Sequence, residues 1–367
     1  MEMKQPWNFV YGTVTAIGSM PYQDAETALA LVRRTLPEAP HWPQLPKRGR
    51  QESFIRQYLT PLVRLGLIDI QSGDSAVFTD DAPDWLEKVE KFYQYFLDFE
   101  TGIPEEQDRV LAFFGFPPEA ASGFHLFMQQ DWQIDGRPPV FVKGHISGPL
   151  TVGLQVFARD QSAAFYREDL RDILTKTLAL IAAYQVREME KHGVPVVIFI
   201  DEPGLLTFGQ SSYVSLSRQD ISASLAQVVE GVTRSGGYAG AHCCSGVDWS
   251  ILFQLPLQIV NFDAYGFFDS MLVYARDLET FLADGGCLSW GLVPTSDEVA
   301  REDVDSLQER FFQGVERLAR QGVSKNRLLE QYMITPSCGA GTLSEAQTER
   351  VYTLARELQE ALQKAVS

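Results

Sequence analysis

One imidazole and two thiols stand where extended segments end: His242 and Cys244 in GYAGAHCC (237–244), and Cys338 in LEQYMITPSCG (329–339). Imidazole and thiolate are the ligands that zinc prefers. Side chains of an extended segment alternate, so His242 and Cys244 share a face and Cys243 points away. Asp263, near the end of LQIVNFDAY (257–265), could supply a fourth, oxygen ligand. Other readings of the same residues stay open: His242 as a hydrogen-bonded core histidine, and Cys243-Cys244 as inert thiols or a redox pair. Cys287, in GGCLSWGLV, reads as a small buried hydrophobe. Four cysteines in a chain of 367 residues do not make a disulfide framework.

A pair of carboxylates, Asp201-Glu202, closes the apolar run VPVVIFIDEP (194–203). Burying both unpaired is costly, so one binds a substrate ammonium or forms a salt bridge to a cation such as Lys143. His145, in VFVKGHISG (140–148), is a candidate base or a local hydrogen-bonding group. Lys47, Arg48 and Arg50 form a basic cluster that either holds a carboxylate or sits in solvent.

These groups need elements to position them. TVTAIGS (13–19), APHWPQLP (39–46), the 140–148, 194–203, 237–244 and 257–265 runs, CLSWGLVP (287–294) and 329–339 read as eight strands, separated by helix-like segments. That alternation predicts an α/β fold, a (β/α)₈ TIM barrel forming a single domain over 1–367. In such a barrel function collects at the carboxyl ends of the strands, where Ser19, Asp201, His242, Cys244, Asp263 and Cys338 fall. Residues 47–138 are too many for one crossover and read as an insertion between strands two and three. It holds a hairpin in 65–79, turning at Ser72-Gly73-Asp74, and an aromatic amphipathic helix over 84–99. An open doubly wound sheet is the alternative, but no Gly-rich phosphate loop follows the first strand.

Lys and Arg number 31 against 48 Asp and Glu, for a net charge of -17. Nucleic acid and anionic membrane surfaces would repel such a chain, so a small molecule or a protein is the expected partner. No apolar run approaches the roughly 18 residues of a membrane span. The start, MEMKQPWNFV, lacks a signal pattern, which predicts a mature cytoplasmic chain.

TAIGSMP, FIDEP, HCC and ITPSCG resemble motifs of the catalytic half of cobalamin-independent methionine synthase, in the barrel superfamily shared with uroporphyrinogen decarboxylase. The resemblance covers most of the chain. It implies that Ile17, Gly18 and Ser19 contact a homocysteine carboxylate, that Asp201 holds the homocysteine ammonium, and that His242, Cys244 and Cys338 hold zinc. Asp263 falls where the family has a Glu as fourth ligand. Glu52 is the candidate for the family's amine-binding Glu, in PKRGRQESF, which replaces Gly-Glu-Pro-Glu-Arg. The family's second, N-terminal barrel is missing, and GLVPTSD (291–297) lacks the histidine that serves proton transfer to folate. The resemblance thus implies a short, single-barrel zinc methyltransferase acting on a thiol, homocysteine above others, with a methyl-corrinoid protein as donor rather than folate. Two rivals differ in class. A decarboxylase like uroporphyrinogen decarboxylase needs an Arg-rich first loop, where this chain has IGSMPYQD. A non-catalytic corrinoid-linked methyl-transfer module needs a cobalt-binding Asp-x-His-x-x-Gly motif, which is not found.

Overall fold

The structure, a computed structural model, describes residues 10–71, 75–213 and 215–366. The expected turn at Ser72-Gly73-Asp74 and most of the N-terminal segment lie outside them. Among the described residues the strands are β1 (Ile68–Ile70), β2 (Ala76–Phe78), β3 (Val142–Ser147), β4 (Val156–Phe157), β5 (Val196–Asp201), β6 (Tyr238–Cys243), β7 (Ile259–Phe262), β8 (Cys287–Val293) and β9 (Tyr332–Pro336). β3 and β5 to β9 form one all-parallel, curled sheet in the order β3-β5-β6-β7-β8-β9. Six of the expected strands become these. Continuous apolar runs such as VVIFI suit a strand buried on both faces.

The other two expected strands stay extended without forming ladders. Val14 bridges Ile334 of β9, Ser19 bridges Gln44, and His41 bridges Lys143 of β3, all in parallel sense. Thr15 N donates to Ile334 O at 3.1 Å, Gln44 N to Gly18 O at 3.0 Å, and Trp42 N to Lys143 O at 3.3 Å. Pro40, Pro43 and Pro46 bring no N–H, and Gly18 sits at φ +137°, so continuous pairing is interrupted in both segments. The architecture is α/β with a six-stranded parallel sheet of TIM-like curl.

Helices cover the outer face. The helix Ala25–Thr35 is capped by Asp24, whose carboxylate accepts from Thr27 N at 2.9 Å. The long helix Glu168–Met189 continues as a short turn that stops at Gly193, in the left-handed region at φ +72°. The last helix, Glu345–Val366, opens on a reciprocal pair: Gln347 N donates to Ser344 Oγ at 3.2 Å, and Ser344 N to Gln347 Oε1 at 3.1 Å. Outward residues of the sheet, such as Ile198, Ile200, Ala241 and Phe262, join these helices in one large apolar core. Inward residues Val197, Phe199, Ile259, Cys287 and Met333 form a second, smaller cluster.

The hairpin expected in 65–79 is present as β1 paired antiparallel with β2, and β2 pairs in parallel with β4. The aromatic helix runs Trp85–Glu100. Phe92, Phe114 and Phe124 of this region belong to the same apolar core as the sheet.

Candidate metal centre

Register builds the centre. Asp201 of β5 partners His242 of β6, His242 partners Asn261 of β7, and Asn261 partners Ser289 of β8. In a parallel sheet, partners in register point the same way, so the four side chains form one row on the inner face. The Asn261 Nδ2 donates to Ser289 O at 3.1 Å, Ser289 Oγ at 2.8 Å and Thr335 Oγ1 at 2.7 Å. Its oxygen must therefore face His242, whose Nδ1–H donates to it at 2.5 Å. That fixes the tautomer and leaves Nε2 buried without a partner.

A ring nitrogen of His242 and the Sγ atoms of Cys244 and Cys338 lie within 4.8 Å of one another. Alternation holds: Cys243 is buried in the outer core, and Cys287 in the inner cluster. Burial pushes both of their thiols up. Cys244 instead is drawn down to about 4, first by the hydrogen bond from Cys338 and then by His242. The same bond, with burial, pushes Cys338 up. Burial presses His242 down, but Cys244, Asp201 and Asn261 outweigh it and its pKa is raised. Two thiols and an imidazole thus gather at one point, with the His242 ring nitrogen that does not meet Asn261 available to the set. This is a donor group fitted to a soft or borderline metal ion.

Asp263 stands outside that trio. Its carboxylate accepts from Gly266 N at 2.7 Å and is raised to about 6, chiefly by burial. The charges of His242 and Cys244 still act on it, so it lies close to the trio.

Of the carboxylate pair, the two members divide. Glu202 turns outward and accepts from Leu150 N at 2.9 Å, Thr151 N at 2.7 Å and the Thr151 hydroxyl, holding the start of the helix Pro149–Gln155. Asp201 turns inward, and its Oδ1 is buried with no partner. Burial raises it to about 6, while His242 and Lys143 pull the other way. The alternative, a salt bridge to Lys143, does not form: the Lys143 Nζ donates to Ile17 O at 2.7 Å and lies 4.4 Å from the centroid of the Phe199 ring.

A cavity of about 420 Å³ opens at this carboxyl end. Its lining brings together Ile17, Ser19, Asp201, His242, Cys244 and Cys338 with Gln44, Lys47 and Phe54. Gly18 lies against the His145 ring, where a Cβ would overlap it. His145 finds no hydrogen bond for either ring nitrogen and stacks on Trp42, with centroids 3.8 Å apart. Glu52 is not in the lining. Its carboxylate accepts from Arg48 Nε at 2.8 Å and from Ser122 Oγ at 2.8 Å, tying 48–52 to the helix Ser122–Met128. The basic cluster divides likewise, Lys47 to the cavity and Arg48 to Glu52. Sequence reading missed Asn261 and Gln44. A polar residue inside the apolar strand IVNF, and another in the Pro-rich 39–46 segment, were the available signals.

What fold and site define together is a class: a TIM-like α/β chain with a His-Cys-Cys group at the carboxyl ends of its strands. Among solved structures, the chain is similar over 95% of its length, and 96% of the other's, to a protein from Listeria monocytogenes assigned as a candidate vitamin-B12 independent methionine synthase. The TM-score is 0.51 and the identity 12%, a likeness of fold. Dihydropteroate synthase from Thermus thermophilus matches at a TM-score of 0.22 and 14% identity, over 68% of this chain and 91% of that one. The same enzyme in complex with 6HMPPP gives 0.21 and 15%, over 76% and 90%. No family model and no curated protein matches the sequence. No helix among the described residues is long and apolar enough to cross a membrane.

Proposed function

We propose that the chain is a cytoplasmic zinc-dependent S-methyltransferase that transfers a methyl group to homocysteine, giving methionine. The supporting observation is the trio of His242, Cys244 and Cys338 beside the bare Oδ1 of Asp201 in one cavity. In this reading 13–19 and 39–46 complete a (β/α)₈ barrel, 1–367 is a single catalytic domain, and 47–138 is its insertion. His242, Cys244 and Cys338 hold the zinc, and Asp263 is the candidate for a fourth position. When bound, zinc would acidify the acceptor thiol, which in its free form, with a pKa of about 8.5, is mostly protonated near neutral pH. Asp201 takes the substrate ammonium through a charge-assisted hydrogen bond in a buried setting. Ile17, Gly18 and Ser19 border the carboxylate end, with Lys143 holding the Ile17 carbonyl in place. Glu52 serves as a tie to Arg48 and Ser122.

The proposed donor is a methyl-corrinoid protein. A folate donor leaves as a poor nitrogen anion unless an acid protonates it, and a positioned acid is typically worth about 10²–10⁴ in rate. Residues 291–297 carry no histidine. Asp297 there is engaged by Gln347 Nε2 at 2.8 Å. A cobalt-bound methyl group needs no such proton.

The test combines metal content with methyl transfer. The parent should carry about one zinc per chain, His242→Ala and Cys338→Ser should lose it, and Cys243→Ser should keep it. Homocysteine should be methylated faster from methylcobalamin than from methyltetrahydrofolate. Full metal retention in both ligand variants, or no transfer from either donor, overturns the reading.

A further inference from the structure

Three buried side-chain atoms without a partner belong to residues that line the cavity: His242 Nε2, Asp201 Oδ1 and Gln44 Nε2. The first two have roles in the function proposed above. The third has none. His145 and Gln57 also carry unpartnered atoms, but neither lines this cavity.

Gln44 is 2% exposed, and its backbone is fixed on both sides. Its N–H donates to Gly18 O at 3.0 Å, and its carbonyl accepts from Met20 N at 2.9 Å. The side chain therefore projects from a bridged stretch, and its Nε2 is left without an acceptor. A buried amide without a hydrogen bond costs free energy unless a ligand supplies the acceptor. Lys47 also lines the cavity. Its ammonium donates to Leu343 O at 3.0 Å, which anchors one N–H and leaves the others for a second acceptor. Ser19, also in the lining, bridges Gln44 directly.

The lining thus carries groups of opposite character. Asp201 offers a bare carboxylate oxygen; Gln44 and Lys47 offer N–H donors and a positive charge. Such a pair matches the two ends of an α-amino acid, with the thiol directed to the His-Cys-Cys group. We propose that Gln44 is a specificity-determining residue whose carboxamide N–H groups bind the carboxylate of the thiol substrate, with Lys47 supplying the countercharge. This rests on the thiol reading of the site and adds a side-chain donor to the carboxylate end that Ile17, Gly18 and Ser19 border.

The experiment is a ligand titration of the Co(II)-loaded chain, read by the absorption of the cobalt–thiolate bond. The probes are homocysteine and 3-aminopropanethiol, which is homocysteine without its carboxylate. The parent should bind homocysteine at least about ten-fold more tightly. Gln44→Leu should remove most of that preference, leave the affinity for 3-aminopropanethiol as it was, and keep the cobalt content. Gln44→Glu, of the same size and opposite effect on an anion, should reverse the preference. The cobalt content reports whether each variant has folded. A parent that binds homocysteine, with Gln44 variants that discriminate as the parent does, overturns the Gln44 assignment alone. A parent whose cobalt spectrum responds to neither thiol overturns the thiol reading, and the assignment with it.

Discussion

Asn261 is the residue that fixes how His242, a candidate ligand, presents its ring. Its amide nitrogen is committed to Ser289 and Thr335, so its oxygen has one orientation, and Nδ1 of His242 must carry the proton. Outer partners of this kind typically contribute about 10–100-fold in metal affinity. Asn261→Ala should therefore weaken zinc binding by about that factor, measured by competition with a chelator. Asn261→Asp keeps an oxygen at the same place and should retain most of the affinity. Equal affinity in the parent and the Ala variant would show that the imidazole needs no such support. His242, Cys244 and Cys338 were legible in the sequence because imidazole and thiolate declare their chemistry by type. Asn261 and Gln44 were not, because amides do many jobs and only register shows which one.

At the level of elements, the sheet was legible where apolar runs are continuous and illegible where prolines interrupt them. β3 and β5 to β9 follow from runs such as VVIFI, whereas 39–46 carries three prolines and forms bridges only. The hairpin and aromatic helix of 65–100 were legible from turn residues and helical spacing. The parallel pairing of β2 with β4 was not, because it joins segments that are distant along the chain. Glu52 illustrates the same limit: a carboxylate aimed by sequence at an amine is held by Arg48 and Ser122, the latter brought in from another helix. Gly18 carries an element-level constraint. It sits at φ +137°, and a Cβ there would meet the His145 ring, itself pinned by its stack on Trp42. Gly18→Ala should cost about 1–3 kcal/mol from backbone strain alone, and more if the ring must move. Denaturant unfolding of the metal-free variant checks it, and an unchanged midpoint would mean that the ring yields freely.

On the scale of the whole molecule, buried titratable groups pull stability in opposite directions with pH. His41 is held neutral at about 3, chiefly by burial and then by Lys143, and His145 is pushed well below its usual range by the same causes. A histidine with a depressed folded pKa binds fewer protons folded than unfolded, so both lower stability as pH falls below about 6.5. Asp201, Glu202 and Asp263 act the other way. Burial raises them to about 6, about 7 and about 6, so the folded chain binds more protons than the unfolded chain between their ordinary range and those values. Stability from these carboxyls is fully present in acid and is lost as pH rises through that window. The net curve mixes both sets, but one group can be isolated. Glu202 is far enough from the metal ligands in role, holding Leu150 and Thr151, to be compared with Glu202→Gln across pH. Near pH 4.5 the parent carboxyl is largely neutral and resembles the amide. By pH 8 the parent carries a buried charge that the amide does not. Relative to the variant, the parent should lose on the order of 3 kcal/mol between those limits, given a rise from 4.5 to about 7. Denaturant unfolding of both metal-free chains from pH 4.5 to 8 measures the difference. A gap that stays flat would mean that the N–H donors around Glu202 stabilise its charge as well as water does, and a gap that moves in the parent's favour would place its folded pKa below the ordinary value.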